Sequence, residues 1–325
     1  MKEGVSYLYA NSRASVLSTK LLTQDKFVRM AESENFAEAL KVLTECNYGG
    51  VANESDLDKM LMEEEKSALD FFRDMITVEA IAKVFLLRYD YLNAKIAIKC
   101  KYLRLPMPNN LISGMFEASK LFSDIVKDDY DAFEIEMQSA LNEIDNKFVD
   151  GDKSPMVIDL LCDKALYKNI ARLSKDCKSA PIKEYLRRDA DTVSLLSYYR
   201  AKNAKLDIQC FVNGGTLNQE AFLKVKGLSE VKQKDYFKQT PYYKLFLLCE
   251  DYLLGKTDIS APQKEAFLLK RNVLLPYIYN DGLEPLIIYY LNKKVEISNV
   301  RLTLICKKGG ILPSVITERL KELYV

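Results

Sequence analysis

The stretch Glu296-Ile-Ser-Asn299-Val-Arg-Leu-Thr-Leu-Ile-Cys-Lys307-Lys308-Gly-Gly310 is one of four related segments in this chain. Each segment has a small polar residue, an apolar-rich run of ~two to three helical turns, basic residues, and then a turn that leads into a further short helix. The other three are Asn11-Ser-Arg-Ala-Ser-Val-Leu-Ser-Thr-Lys20, Asn93-Ala-Lys-Ile-Ala-Ile-Lys-Cys-Lys101 and Asp191-Thr-Val-Ser194-Leu-Leu-Ser-Tyr-Tyr-Arg200. The repetition predicts four helices of one kind.

The polar and basic ends of these segments favour a structural role. Asn and Ser are good helix N-caps, and basic side chains near a helix C-terminus bind its unpaired carbonyls and complement its dipole. We therefore predict that these helices open at Asn11, Asn93, Ser194 and Asn299 and close at Lys20, Lys101, Arg200 and Lys307. A second interpretation, compatible with the first, is an inner framework in which each polar side chain bonds to the backbone at a joint.

The rest of the chain extends this helical pattern. Apolar residues recur at helical spacing almost throughout, and alternating runs typical of strands are scarce, which predicts an all-α fold. The four segments are unequally spaced, at intervals far longer than the 34 to 47 or so residues of helical solenoid repeats. We predict three helical domains, at residues 1–105, 106–208 and 209–325.

The composition excludes several classes of function. Lysine and arginine total 47 against 46 acidic residues, so no excess of charge draws the protein to nucleic acid. The chain has no histidine, which removes Ser/His/Asp and Cys/His catalysis and histidine-containing zinc sites. We expect no catalytic residue, no cofactor and no metal.

Cysteine usage and hydropathy indicate where the protein acts. Its 7 cysteines are scattered without a CxxC pair, which is typical of reduced thiols in the cytosol, and its start lacks the apolar core of a secretion signal. The apolar stretch Leu283 to Leu291 is far shorter than the roughly 20 residues of a membrane span. Any association with a membrane is expected to be peripheral.

Charged clusters outside the repeat have ordinary explanations. The acidic runs at 63–65 and 128–131 lack the spacing of a calcium loop and are interpreted as solvated surfaces. The basic stretch 224–238 contains acidic residues, so it is interpreted as a rim for an acidic protein partner and not as a nucleic-acid surface. Loops favour partner contacts, which we place at the turns after the repeat helices, around Arg104, Asn213 and Lys308.

At these residues the sequence resembles a known family. The D/E-x-x-N…R/K pattern, the turns that follow it and the closing segment at residues 290–301 resemble the C subunit of the V/A-type (vacuolar/archaeal-type) rotary ATPases, which is homologous to the d subunit of the eukaryotic vacuolar enzyme. The resemblance covers essentially the whole chain, from Tyr7 and Asn11 through Tyr91-Leu-Asn-Ala-Lys95 to the last helix. Ser194 departs from the pattern, since Asn would be expected there.

The resemblance implies a fold and a function. It implies a funnel of three similar helical domains around a pseudo-threefold axis, on the cytoplasmic face of a membrane. Members of the family join the central stalk of the ATPase sector to the membrane ring of proteolipid subunits and transmit torque for proton or sodium-ion transport. They neither bind nor hydrolyse ATP.

Two other functions remain open on the residues alone. One is a generic helical scaffold or interaction protein. The other is a helical phosphohydrolase that uses carboxylates and a divalent metal. The second would need paired acidic residues at metal-ligand spacing on neighbouring helices, and the sequence offers no convincing set.

Overall fold

The computed structural model describes residues 7–46, 48, 57–151, 154–206 and 209–323. Within these ranges the chain forms fifteen α-helices and no strand, so the prediction of an all-α fold is confirmed. The helices are α1 Leu8–Ser18, α2 Gln24–Glu32, α3 Phe36–Glu45, α4 Leu57–Met75, α5 Glu79–Leu103, α6 Ala118–Val126, α7 Ile135–Val149, α8 Pro155–Leu173, α9 Ala180–Asn203, α10 Gln219–Lys226, α11 Glu230–Lys238, α12 Tyr243–Leu253, α13 Ser260–Leu274, α14 Glu284–Lys308 and α15 Pro313–Arg319. None of the described helices is long and apolar enough to cross a membrane.

The chain divides into two compact units. The first combines residues 1–77 with residues 274–325, and the second spans residues 78–273. The first unit therefore joins both ends of the chain, and its border precedes α5, whereas the predicted boundary at 105 follows that helix. The division into three domains stays a prediction.

In the first unit, helix α14 packs against α1, α2, α3 and α4. Phe27 and Met30 of α2 are fully buried, and Phe72 of α4 stacks on Tyr290 of α14 with ring centroids 4.6 Å apart. Burial of each such side chain contributes about 1.5–3 kcal/mol, so these contacts hold the N-terminal helices on α14. Residues far apart in the sequence thus share one core.

In the second unit, α5 packs against α6 and α8, α7 packs against α8, and α9 packs against α12. An aromatic cluster fills the core between α9 and α10–α12, where Phe237 and Phe246 stack at 4.2 Å and Phe222 meets Tyr199 edge-on. Ser179 opens α9 by accepting a hydrogen bond from the amide of Ile182 at 3.2 Å. A capped start and an aromatic core together fix the position of α9.

The three long helices α5, α9 and α14 share one feature. Each carries polar side chains that are buried in the protein. A buried polar group destabilises the fold unless it is hydrogen-bonded. These buried polar side chains include three pairs at the same spacing, Asp90 and Asn93, Asp191 and Ser194, and Glu296 and Asn299.

Candidate functional site

The structure places the predicted helix-opening residues inside helices. Asn93 lies in the interior of α5, Ser194 in α9 and Asn299 in α14, while Asn11 lies in α1, whose N-cap is Tyr7. The prediction that these residues open helices is therefore wrong. Asn and Ser favour helix caps because their side chains can bond to nearby backbone groups. Here the side chains bond to distant backbone groups instead, so the backbone hydrogen bonds of the helices stay intact.

On the long helices, the polar side chain binds the segment that follows its own helix. The amide of Asn93 donates to the carbonyl of Ile112 at 2.8 Å, and Ser194 Oγ accepts from the amide of Val212 at 3.0 Å. Asn299 makes two bonds to Lys321, donating to its carbonyl at 2.7 Å and accepting from its amide at 3.1 Å. Each long helix is thereby tied to the segment after it.

A carboxylate three residues earlier makes a second tie on the same helix face. Asp90 accepts hydrogen bonds from the amides of Met115 at 2.7 Å and Phe116 at 3.2 Å. Asp191 accepts from the amides of Thr216 at 3.0 Å and Leu217 at 2.8 Å. The two joints have the same architecture. We call the carboxylate, the polar residue three positions later and the backbone groups that both bind a carboxylate latch.

The third carboxylate latch has a different partner segment. Glu296 is fully buried and accepts a hydrogen bond from the amide of Leu22 at 2.6 Å. Leu22 lies between α1 and α2, so this latch binds the opposite end of the chain. Sequence reasoning noted the D/E-x-x-N pattern but did not name these three carboxylates as site residues, although their constant spacing was the signal.

Glycine makes the two aspartate latches possible. A Cβ on Gly114 would lie 2.5 Å from Asp90 Oδ1, and a Cβ on Gly215 would lie 2.1 Å from Asp191 Oδ1. Only glycine lets the loop backbone come this close to the short aspartate side chain. Glu296 is one methylene longer and reaches a loop that contains no glycine.

The long helices also end alike. Arg104, Lys205 and Gly310 adopt the left-handed conformation, with φ of 55°, 56° and 66°. The same number of residues separates each from its latch carboxylate. In each case the next amide bonds back into the helix: Leu105 to Cys100 at 2.9 Å, Leu206 to Ala201 at 2.9 Å and Ile311 to Cys306 at 3.0 Å. All three helix ends are therefore of the Schellman type, at the same distance along the chain from the latch carboxylate.

The basic residues near the helix ends behave differently from one another. Lys101 pairs with Asp145 at 2.8 Å and with Asp128. Lys307 donates to the carbonyls of Ala31, at 3.2 Å, and Ser33 beside the end of α2. Both lysines bind a long helix to a neighbouring element, and these bonds add to those of the latch.

The other two predicted closing residues are exposed. Arg200 lies in the last turn of α9. Counted from the latch carboxylate, however, the residue that corresponds to Lys101 and Lys307 is Lys202, whose ammonium lies 5.9 Å from the ring centroid of Tyr198. Helix α1 ends at Ser18, so the prediction that Lys20 closes it is wrong. The chain turns before Lys20, on its way to the bond between Leu22 and Glu296.

Asn11 differs from the other three polar residues. Its amide donates to the carbonyls of Gly282 at 2.9 Å and Asn280 at 3.3 Å, which precede α14. It also lines a groove of about 1050 Å³ between α1 and residues 278–292, whose α1 wall consists mainly of small and hydroxyl side chains. The first segment is therefore a docking helix for the start of α14 and has no latch of its own.

Two buried ion clusters support the helices. In the second unit, Asp189 of α9 binds Arg88 at 2.7 Å and Lys270 at 2.8 Å, and it accepts a hydrogen bond from Tyr167 at 2.6 Å. Burial alone would raise the pKa of Asp189, but the two cations outweigh it and hold the pKa below its ordinary value. This carboxylate joins α9 to α5, α8 and α13.

The cluster of the first unit surrounds Glu296. Lys293 pairs with Glu296 and lies 2.7 Å from Glu64, with its ammonium 4.7 Å from the ring centroid of Tyr48. Burial raises the pKa of Glu296, and Lys293 offsets that rise only in part. The paired lysine and the Leu22 amide satisfy a carboxylate that is fully enclosed.

The predicted partner contacts lie at the surface. Arg104 follows α5, Asn213 lies in the loop after α9, and Lys308 ends α14, and all three are exposed. The described residues include no group of three cysteine or acidic side chains that could hold a metal ion. These geometries are those of a structural framework with exposed loop ends.

Comparison with known proteins gives consistent results. A family model described as ATP synthase (C/AC39) subunit matches residues 10–319. The chain is 22% identical to the C subunit of the A-type ATP synthase from Thermococcus onnurineus (strain NA1), over 98% of this chain and 89% of that protein. It is 24% identical to the C subunit of the A-type ATP synthase from Desulfurococcus sp. (strain SY), over 98% of this chain and 90% of that protein.

Proposed function

Because this chain belongs to the ATP synthase (C/AC39) subunit family, we propose that it is the central-stalk coupling subunit of a V/A-type rotary ATPase. In this role it is a non-catalytic socket on the cytoplasmic face of the membrane, held there by protein contacts. One face holds the rotating stalk, the other sits on the proteolipid ring, and torque passes through the chain during proton or sodium-ion transport.

The observation that carries this proposal is the length of the family match. The match covers residues 10–319, which include all three long helices and every latch residue except Lys321. A match to one segment would support only a shared module, whereas a match over nearly the whole chain supports the role of the whole subunit. The two A-type relatives, each aligned over 98% of this chain, agree with it.

The repeated latches support the proposed threefold architecture. Helices α5, α9 and α14 carry the carboxylate, the polar residue and the left-handed end in one frame, as three copies of one helical domain would. We propose that these copies correspond to the three domains at 1–105, 106–208 and 209–325 and surround a pseudo-threefold axis as a funnel.

The chemistry of the latches suits a part that transmits force. Each buried carboxylate or amide fixes a loop to a helix through directional bonds, and the packed apolar interior resists compression. A stiff part passes rotation on without absorbing it in its own deformation. A body with three similar sectors cannot meet every subunit of a many-fold ring identically, so we expect polar and adaptable contacts at the ring.

Reconstitution tests the proposal. The full chain is mixed with the central-stalk subunits and the proteolipid ring of the same organism, purified separately, and each binary complex is measured. We expect binding to both partners, and we expect ATP-driven ion transport to need the chain while ATP hydrolysis by the catalytic sector does not. Failure to bind either partner, or full transport without the chain, would contradict the proposal.

A further inference from the structure

Two surface residues adopt a backbone conformation that disfavours their side chains. Arg104 and Lys205 have φ of 55° and 56°, in the left-handed region that suits glycine. At the same place on α14 the chain has Gly310, so the fold accepts glycine there. A strained non-glycine residue that the fold does not require is a reason to look for a use of its side chain.

An internal use explains the other strained residue but not these two. Asp128, the third non-glycine residue with positive φ in the described ranges, accepts hydrogen bonds from Lys101 and Tyr130. Arg104 and Lys205 are exposed, and neither forms an ion pair with a described residue. Their charged groups lie at the surface, where a partner can reach them.

Each of these cations is followed by an exposed leucine. Leu105 is 54% exposed and Leu206 is 38% exposed, although a hydrophobic residue at this position of a helix end commonly packs back on the helix. The carboxylate latches of Asp90 and Asp191 hold the segments that follow in the same frame. The second unit thus contains the same surface feature twice, a cation followed by an exposed leucine, which we call the cation–leucine tip. In both copies the following segment is bound to its helix by a carboxylate latch.

Resting on the proposed function, we propose that these two tips dock on the proteolipid ring, each meeting a copy of the same feature. That feature is an acidic or carbonyl oxygen beside apolar side chains, since Arg and Lys only donate hydrogen bonds and leucine needs an apolar neighbour. A partner with repeated identical subunits offers the same feature twice. A stalk present in one copy offers different surfaces, so the repetition of the tip favours the ring.

Substitution of Arg104 and Lys205 by glycine is expected to change the stability of the chain and its binding to the ring in opposite directions. In the double variant Arg104→Gly/Lys205→Gly the backbone strain is relieved, so the thermal midpoint of the full chain is expected to rise. Its affinity for the purified ring in detergent at low salt is expected to fall about tenfold, because two charged contacts are lost. Unchanged affinity would overturn the proposal.

A second variant removes the charge but keeps the strain. Arg104→Gln/Lys205→Gln is expected to leave the thermal midpoint unchanged and to weaken ring binding by a similar factor. The matched control Lys127→Gln/Lys178→Gln removes two exposed charges from the same unit and is expected to bind as the wild type does. Equal losses in the control would overturn the proposal, because they would show a general effect of charge.

Two further measurements identify the partner. Vesicles of the same lipids without the ring are expected not to bind the chain, and a lipid-only interaction that the tip variants abolish would overturn the proposal. A wild-type chain that does not bind the ring at all would overturn both this inference and the proposed function. Wild-type binding that the tip variants retain would overturn this inference alone.

Discussion

At the scale of single residues, the latch glycines make the clearest prediction. A Cβ on Gly114 would lie 2.4 Å from the carbonyl oxygen of Leu86 as well as close to Asp90, so the loop must move away from the helix. We expect Gly114→Ala and Gly215→Ala each to lower the free energy of unfolding by about 1–3 kcal/mol. Urea unfolding of the purified variants measures this.

Gly227→Ala provides the control for the glycine variants. The nearest atom to its Cβ would be the carbonyl oxygen of Lys224 at 3.4 Å, and Gly227 has an ordinary φ of −76°. We expect a change within about 0.5 kcal/mol, as for most surface substitutions. If Gly114→Ala were as mild as this control, the latch would not depend on close approach.

Asp189 gives a second prediction at this scale, with a defined pH dependence. Asp189→Asn leaves Arg88 and Lys270 without their shared anion, and we expect a loss of about 2–4 kcal/mol at pH 7, since both cations keep some contact with water. The folded carboxyl has a lowered pKa, so its contribution is complete above the unfolded value of about 3.9 and is lost as the pH falls below it.

The measurement is urea unfolding of wild type and variant between pH 7 and pH 3. The difference between them is expected to be constant at neutral pH and to shrink in acid. Asp159→Asn is the control, because Asp159 and Lys99 form a partly exposed pair at 2.6 Å, worth at most about 1 kcal/mol. A difference that grew in acid would contradict the assigned charge state.

At the scale of elements, helical periodicity in the sequence was enough to predict the all-α fold but not where the helices begin. Helices α5, α9 and α14 start well before the predicted Asn93, Ser194 and Asn299. A side chain that caps a helix locally can instead bond to a loop brought near by the fold, and no local signal separates the two cases. The spacing of the carboxylate and the polar residue carried that information.

Asn299 makes the prediction at this scale. Asn299→Ala removes both bonds to the backbone of Lys321, and we expect a loss of about 1–3 kcal/mol because the freed groups are partly buried. The effect should concentrate on α15 and the segment after it, which Asn299 ties to α14. Hydrogen exchange is expected to become faster there while the centre of α14 stays protected.

Asn142→Ala on α7 is the matched control, since Asn142 is exposed on a helix surface. Alanine favours helix more than asparagine, so we expect unchanged or slightly higher stability. Uniformly faster exchange across the first unit in Asn299→Ala would show that Asn299 supports the whole core and not only the C-terminal segment.

At the scale of the whole molecule, the contacts that close the first unit could not be predicted from the sequence. Glu296 binds Leu22, and Lys307 binds Ala31, across nearly the full length of the chain. Periodicity and capping preferences describe neighbours along the chain and contain no information about such pairs. The family resemblance compares whole chains, and the threefold architecture that it implies stays a prediction.

The last prediction concerns coupling and rests on the proposed function. If the latches make the subunit stiff, then Ser194→Ala/Asn299→Ala should assemble into the complete ATPase yet transmit torque poorly. At a temperature well below its unfolding midpoint, we expect ATP hydrolysis to be retained and the number of ions transported per ATP to fall. Asn142→Ala should couple as the wild type does. Full coupling in a complex whose latch segments exchange hydrogen rapidly would show that torque does not pass through the latched loops, and that the latches serve folding alone.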